Sequence, residues 1–367
     1  MSKELSYLEA IREALAEEMR RDPKVFVLGE DVGPYGGAFG VTQGLHEEFG
    51  DLRVVDTPIS ESAIVGISIG ASQRGYRPVA EMQFADFISC GFDQIVNQAA
   101  TLRFRYGGRA TVPIVVRAPS GGNVGGGLYH SQNPEAWFIH RPGLKVVAPS
   151  TAFDAKGLLK AAIRDDNPVV YFEHKYLYRR AKGPVPEGDE VVPIGVAATR
   201  REGSDVTLVA YGAMMTPSLE AADRLAKEGV DVEVIDLRTL MPFDKAAIFA
   251  SLDKTNRVLI VHEDVKTLGL GAELSAVIME EKFDKQAILT SVEKTSRALV
   301  VHEDVKTLGI GAELSAVIME EKFSALDAPV MRVTYPDTHP PFSHILEAAN
   351  LPNVDTIAGA LRALAAY

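Results

Sequence analysis

The sequence predicts an α/β protein of two domains, and three observations predict it: the length, an alternation of short apolar runs with helical periodicity, and a proline- and glycine-rich interruption near the middle. At 367 residues the chain exceeds what one ordinary core organises and fits two domains of common size. Hydrophobic residues make up 46% and charged residues 24%, with 31 glycines and 20 prolines, which excludes disordered, collagenous and coiled-coil classes. The formal charge of -12 speaks against nucleic acid or an anionic membrane as the main partner, since both select basic surfaces.

The first element is a helix over residues 6–21. Leu8, Ile11, Leu15 and Met19 recur at spacings of three and four, and Ser6 followed by Glu9 is a capping box. The β-branched apolar runs Val25–Leu28, Arg53–Val55, Pro78–Met82, Pro113–Arg117, Lys145–Ala148 and Val169–Phe172 read as strands. Helical patterns at Ser62–Arg74, Phe92–Tyr106 and Phe153–Arg164 separate several of them. That alternation predicts a mostly parallel sheet covered by helices.

Between Lys182 and Ser204 the pattern stops, and Gly183, Pro184, Pro186, Gly188 and Pro193 read as a surface connector. The expected partition is a first domain over 1–181, a linker over 182–204 and a second domain over 205–367. The second domain restarts the same alternation: strand Asp205–Ala210, helix Thr216–Lys227, strand Asp231–Asp236, a Met241-Pro242 turn, and a last strand Val330–Val333.

Inside it, residues 243–282 and 283–322 are a tandem repeat in which nine of forty aligned positions differ. Each copy reads helix, strand (Val258–His262; Ala298–His302), glycine-containing turn, helix. Two copies are too few for a solenoid. The repeat is either an inserted extra unit or an adaptation at a subunit interface. Glu263 and Asp264, and Glu303 and Asp304, close the two strands at the end where α/β sheets collect ligands.

The lone cysteine, Cys90, can form neither an intrachain disulfide nor a CxxC metal site, and the opening residues lack the apolar run of a signal peptide. A reducing, cytoplasmic setting is expected. No run approaches the ~18 apolar residues of a membrane-spanning helix.

Three segments carry chemistry. In Asp56-Thr57-Pro58-Ile59-Ser60-Glu61-Ser62, Pro58 stops a strand, Ser60 is positioned to cap the next helix, and Glu61 falls in its first turn. Glu61 is either a capping carboxylate or a functional acid. Ala80-Glu81-Met82-Gln83-Phe84-Ala85-Asp86-Phe87 is a strand entering a loop, its aromatics either core or a shelf for a ligand. Pro119–Gln132 places five glycines before His130 and Ser131, as expected of a mobile loop that approaches a ligand and presents a titratable side chain. It lacks the Lys-Ser/Thr of a phosphate loop. HExxH spacing and a G-x-S-x-G elbow are absent too, which removes the zinc-protease and serine-hydrolase classes.

Together with Leu28-Gly29-Glu30-Asp31-Val32-Gly33, Phe92-Asp93-Gln94-Ile95, Pro142-Gly143-Leu144-Lys145-Val146-Val147, Asp236-Leu237-Arg238-Thr239-Leu240 and Tyr335-Pro336-Asp337-Thr338, these segments resemble the β subunit of the thiamine-diphosphate-dependent E1 component of 2-oxo acid dehydrogenase complexes. The resemblance spans nearly the whole chain outside one repeat copy. It implies a pyrimidine-binding domain followed by a transketolase C-terminal-like domain, and an α2β2 heterotetramer with an E1 α subunit, cofactor between unlike chains. It implies a second β chain and an E2 dihydrolipoyl acyltransferase as further partners. The reaction implied is oxidative decarboxylation of a branched-chain 2-oxo acid or pyruvate, with reductive acylation of E2 lipoyl groups. An acetoin dehydrogenase subunit and a catalytically inactive scaffold of the same kind of assembly are the alternatives.

By the same resemblance Glu61 contacts N1′ of the cofactor's aminopyrimidine, Gln83, Phe84 and Phe87 form its pocket, and His130 handles protons during acyl transfer. A monovalent cation such as K+ is implied at Ile114, Ala162, Asp165 and Asn167. The chain contains no Gly-Asp-Gly segment, the family's Mg2+-diphosphate ligand motif, so Mg2+ is expected on the α subunit. The family has one helix–strand–helix unit where this chain has the repeat.

Overall fold

Ser6 Oγ accepts from Glu9 N (3.3 Å) while the Glu9 carboxylate accepts from Ser6 N (2.8 Å), so the predicted capping box starts the first helix. The computed structural model describes residues 2–265, 268–282, 285–305, 310–335 and 353–367. Pro336, Asp337 and Thr338 of the quoted motif lie outside the described residues, as do the side chains of Glu303 and Asp304. The chain divides into two units, Met1–Asp264 and Val265–Tyr367.

The strands of the first unit are β1 (Ser2–Ser6), β2 (Val25–Gly29), β3 (Val54–Asp56), β4 (Arg77–Glu81), β5 (Val115–Ser120), β6 (Lys145–Val147), β7 (Val169–His174), β8 (Lys182–Pro186), β9 (Ala198–Arg201), β10 (Val206–Ala210), β11 (Val232–Asp236), β12 (Thr239–Met241) and β13 (Val258–Val261). Its helices are α1 (Tyr7–Arg21), α2 (Leu45–Phe49), α3 (Glu61–Ser72), α4 (Ala100–Arg105), α5 (Glu135–Ile139), α6 (Ala152–Arg164), α7 (Met215–Ala226) and α8 (Lys245–Thr255).

A seven-stranded sheet runs β12-β6-β7-β5-β4-β2-β3, parallel except for β12. Its strands are apolar on both faces because both are covered. On one face Ile11, Leu15 and Met19 of α1 and Leu158, Leu159 and Ile163 of α6 pack on Val27, Val79, Val115 and Val169. The helix predicted over Phe92–Tyr106 forms, with a π-helical stretch, Gln94–Ala99, leading into α4, and Val96 O there accepts from Arg141 Nε at 2.7 Å.

The predicted connector carries two strands. β8 pairs antiparallel with β1, from Ser2↔Pro186 to Ser6↔Lys182, in a sheet that is all edge, where proline is tolerated. β9 pairs antiparallel with β11 at the rim of a four-stranded sheet, β13-β10-β11-β9.

The two repeat copies fold alike locally and pair differently. In copy one β13 lies parallel to β10, from Thr207↔Val258 to Ala210↔Val261. In copy two the strand Leu299–Val305 pairs parallel with Met331–Tyr335 in a separate two-stranded sheet of the second unit. Helices Leu270–Lys282, Lys285–Thr295 and Ile310–Lys322 flank these strands in sequence, and Asn353 caps a final helix, Val354–Ala365. No helix among the described residues is long and apolar enough to cross a membrane.

Candidate active site

The segments that follow β2, β3, β4, β5 and β7 all leave the same carboxyl edge of the parallel sheet, the edge where such sheets collect ligands. Gly33 N donates to Asp56 Oδ1 at 2.5 Å, and a Cβ at position 33 would lie 2.7 Å from that carboxylate. A side chain there would push the first two segments apart.

Glu61 is the first residue of α3 and only 8% exposed, and none of the described hydrogen bonds engages its carboxylate. The predicted Ser60 cap does not form: Ser60 sits at φ −165°, ψ 68° without a side-chain cap bond, its backbone N–H turned to Glu30. Glu30 is buried beside Glu61. Burial, and then the Glu61 charge, push its carboxyl above the ordinary range, and its Oε1 has no partner.

Phe84 and Phe87 meet edge to face with centroids 5.9 Å apart, and the His130 ring stands edge-on to both, at 4.4 Å and 5.6 Å. Phe39 closes on Phe84 from another side at 5.3 Å. The two phenylalanines are half-buried, a wall shared with His130 rather than interior core. The 3₁₀ turn Ala85–Gly91 packs on α3, where Ser62 Oγ donates to Cys90 O at 2.5 Å. Gln83 is turned outward and donates to Asp31 Oδ2 at 3.0 Å.

The four suggested cation positions hold a different arrangement. Asp165 pairs with Lys145, its Oδ1 accepts from Asn167 N and Nδ2 (2.8 Å each), and Asn167 Oδ1 accepts from Arg103 at 2.5 Å. Ile114 O accepts from Val169 N and Ala162 O from Asp165 N. Asp165 Oδ2 and Asn167 Oδ1 are thus taken by cationic side chains, and Asp165 Oδ1 by amide donors.

Sequence reasoning missed the charges inside the sheet. Arg117 is fully buried on β5 and bonds Glu81 and Glu173, each at 2.5 Å. Burial and the second carboxylate push Glu173 up to about 7 against the pull of Arg117. The signal was a lone cation inside the apolar run Val115-Val116-Arg117-Ala118. Also missed was His174: its Nδ1 accepts from Tyr176 N, so Nε2 carries the proton donated to Glu263 Oε2 at 2.7 Å. Glu263 Oε1 accepts from Gly122 N at 2.7 Å, so an acid of repeat copy one clasps the start of the glycine loop. Despite burial, His174 and this N–H hold Glu263 at about 2. At Gly121 φ is +88° and an added Cβ would fall 1.9 Å from His174 Nε2, so only glycine fits.

Nearby, a small cleft is lined by Ser120, Glu135, His174, Tyr211 and Glu263 among others. Glu135 is fully enclosed, its Oε2 unpartnered, and burial pushes it up to about 8. Its folded value lies above its unfolded value, so folding takes up a proton and stability falls as pH rises from about 5 to 8. Glu135→Gln is expected to melt several degrees above wild type at pH 8 and at the same temperature near pH 5, checked by thermal denaturation.

Comparison with known proteins places this fold among transketolase domains. Residues 3–181 match the family "Transketolase, pyrimidine binding domain", and residues 195–283 and 281–357 each match "Transketolase, C-terminal domain". The double match spans the repeat. A 2-oxoisovalerate dehydrogenase subunit beta of Bacillus subtilis is 55% identical over 75% of this chain and 84% of its own length. The pyruvate dehydrogenase E1 component subunit beta of the same organism is 42% identical over 95% of both chains. An acetoin:2,6-dichlorophenolindophenol oxidoreductase subunit beta of Cupriavidus necator is 46% identical over 77% of this chain and 86% of its own. A solved split-gene transketolase, an inactive beta4 tetramer, shares the fold at TM-score 0.57 and 23% identity, covering 98% of both chains. The chain belongs to the family of E1 β subunits of 2-oxo acid dehydrogenases, built from transketolase pyrimidine-binding and C-terminal domains.

Proposed function

We propose that this chain is the β half of a thiamine-diphosphate-dependent E1 enzyme, active only with an α subunit in a cytoplasmic α2β2 assembly. It decarboxylates a 2-oxo acid oxidatively and acylates the lipoyl groups of an E2 partner. The observation that carries the reading is Glu61: an acid only 8% exposed at a helix start, whose carboxylate no described hydrogen bond engages, on the same sheet edge as the aromatic wall. A carboxylate left free by the chain's own donors is open to one from outside it, and a protonated ring nitrogen supplies one, so the residues fit an aminopyrimidine.

The bound cofactor would supply an acidic thiazolium carbon that adds to the 2-oxo group. Glu61 holds the proton at N1′ of the pyrimidine. Its neighbour Glu30, pushed toward its neutral form, lowers the charge Glu61 must sustain in a dry site. Phe84 and Phe87 exclude water from the ring, Gln83 borders the pocket, and His130, braced on both phenylalanines, moves protons at the reacting carbon. Mg2+ is assigned to the α subunit. A monovalent cation at Ile114, Ala162, Asp165 and Asn167 does not fit side chains already paired with Lys145 and Arg103, and no step is drawn through it.

On this reading residues 1–181 are the pyrimidine-binding domain, 182–204 the connector and 205–367 the C-terminal domain with its duplicated unit. The higher identity to a 2-oxoisovalerate dehydrogenase subunit than to pyruvate relatives supports a branched-chain acid as substrate. Coexpression with an α subunit and a substrate panel tests this. Turnover of 2-oxoisovalerate above pyruvate is expected, and an assembled complex that turns over neither acid would make the chain a scaffold.

A further inference from the structure

We propose that Asp86 is the positioning residue that seats the His130 loop, an inference resting on the function just proposed. Five glycines between positions 121 and 127 leave this loop little intrinsic restraint, because glycine loses more backbone freedom on ordering than any other residue. His130 nevertheless must stand at one place to act on a reacting carbon. What fixes it comes from one tetrapeptide, Phe84-Ala85-Asp86-Phe87. The rings of Phe84 and Phe87 hold the imidazole edge-on. Asp86 Oδ1 accepts from the N–H groups of both Ser131 and Gln132, the two residues after His130, at 3.2 Å each. Gly121 N donates to Gln132 O at 3.1 Å and closes the loop's base.

Asp86 is only 6% exposed, and its second oxygen is buried without a hydrogen-bond partner. A residue needed only to start the 3₁₀ turn Ala85–Gly91 does not require a buried carboxylate, whereas a clamp on two consecutive amides does, since ionised acceptors bind N–H groups about twice as strongly as neutral ones. Because that turn packs on α3, the same carboxylate ties His130 to the helix that begins at Glu61. Asp86 touches neither substrate nor cofactor in this account. It acts through the loop.

The test compares wild type, Asp86→Leu and Asp86→Asn in the α-complemented complex. Leucine keeps the volume and accepts nothing; asparagine keeps an acceptor oxygen. Asp86→Leu is expected to open residues 121–132 to limited proteolysis and to lower kcat about 100-fold, the scale of displacing a catalytic group by an ångström, with KM for the 2-oxo acid little changed. Asp86→Asn is expected to restore protection and most of kcat. A folded Asp86→Leu variant with a protected loop and wild-type kcat overturns the proposal. If Asp86→Leu does not fold, hydrogen exchange in Asp86→Asn decides: slow Ser131 and Gln132 amides support the clamp, and exchange as fast as in the exposed glycines overturns it. A wild-type complex without any turnover would refute the proposed function, while the proteolysis contrast would still judge Asp86.

Discussion

Glu61→Gln is expected to lower 2-oxo acid turnover by about 10²–10⁴-fold, the range of a lost proton-handling group, while leaving assembly with the α subunit unchanged. The amide preserves the size of a side chain that is buried at the first position of α3 and makes no other described hydrogen bond, so the fold has no reason to respond. Only the proton held at the pyrimidine is lost. The check is a steady-state assay with an artificial electron acceptor, with size-exclusion chromatography on the same sample. Unchanged turnover would remove Glu61 from its role.

Arg117→Met carries the largest expected effect on stability. Breaking a buried ion pair costs about 3–5 kcal/mol, because the partner charge stays behind in a low-dielectric interior. Here two partners stay behind, Glu81 on β4 and Glu173 on β7, the strands that flank β5, both nearly inaccessible. Glu173 already sits at about 7, so acid relieves the repulsion by protonating it. The loss is therefore expected to be larger at pH 8 than at pH 5.5, as read by urea denaturation at the two pH values. Adding Glu81→Gln and Glu173→Gln to the same variant should recover most of it, since apolar and neutral replacement of a whole buried pair is close to neutral.

Much of this was legible from residues alone, for identifiable reasons. The parallel strands announce themselves because a sheet covered on both faces must be built of unbroken apolar runs, and Val25–Gly29 or Val169–His174 could hardly be anything else. The capping box at Ser6 was legible because it is local. What failed depended on distant partners. β8 contains two prolines and looks like a connector until β1 offers it an edge. Ser60 looks like a cap, yet its side chain makes no cap bond. At the site, Glu61, Phe84, Phe87 and His130 stood out by type and spacing, but Asp86, His174 and Glu263 acquire meaning only where three chain segments meet the glycine loop. The repeat was plain in sequence; that copy one would join β10 while copy two takes the last strand depends on pairing that no local pattern encodes.

The central claim is that this chain supplies half of a shared cofactor site. Isothermal titration of thiamine diphosphate with Mg2+ into this chain alone, the α subunit alone and their complex tests it most directly. Tight binding is expected in the complex alone, and is expected to weaken there in Glu61→Gln. Comparable tight binding by the isolated chain would contradict the account.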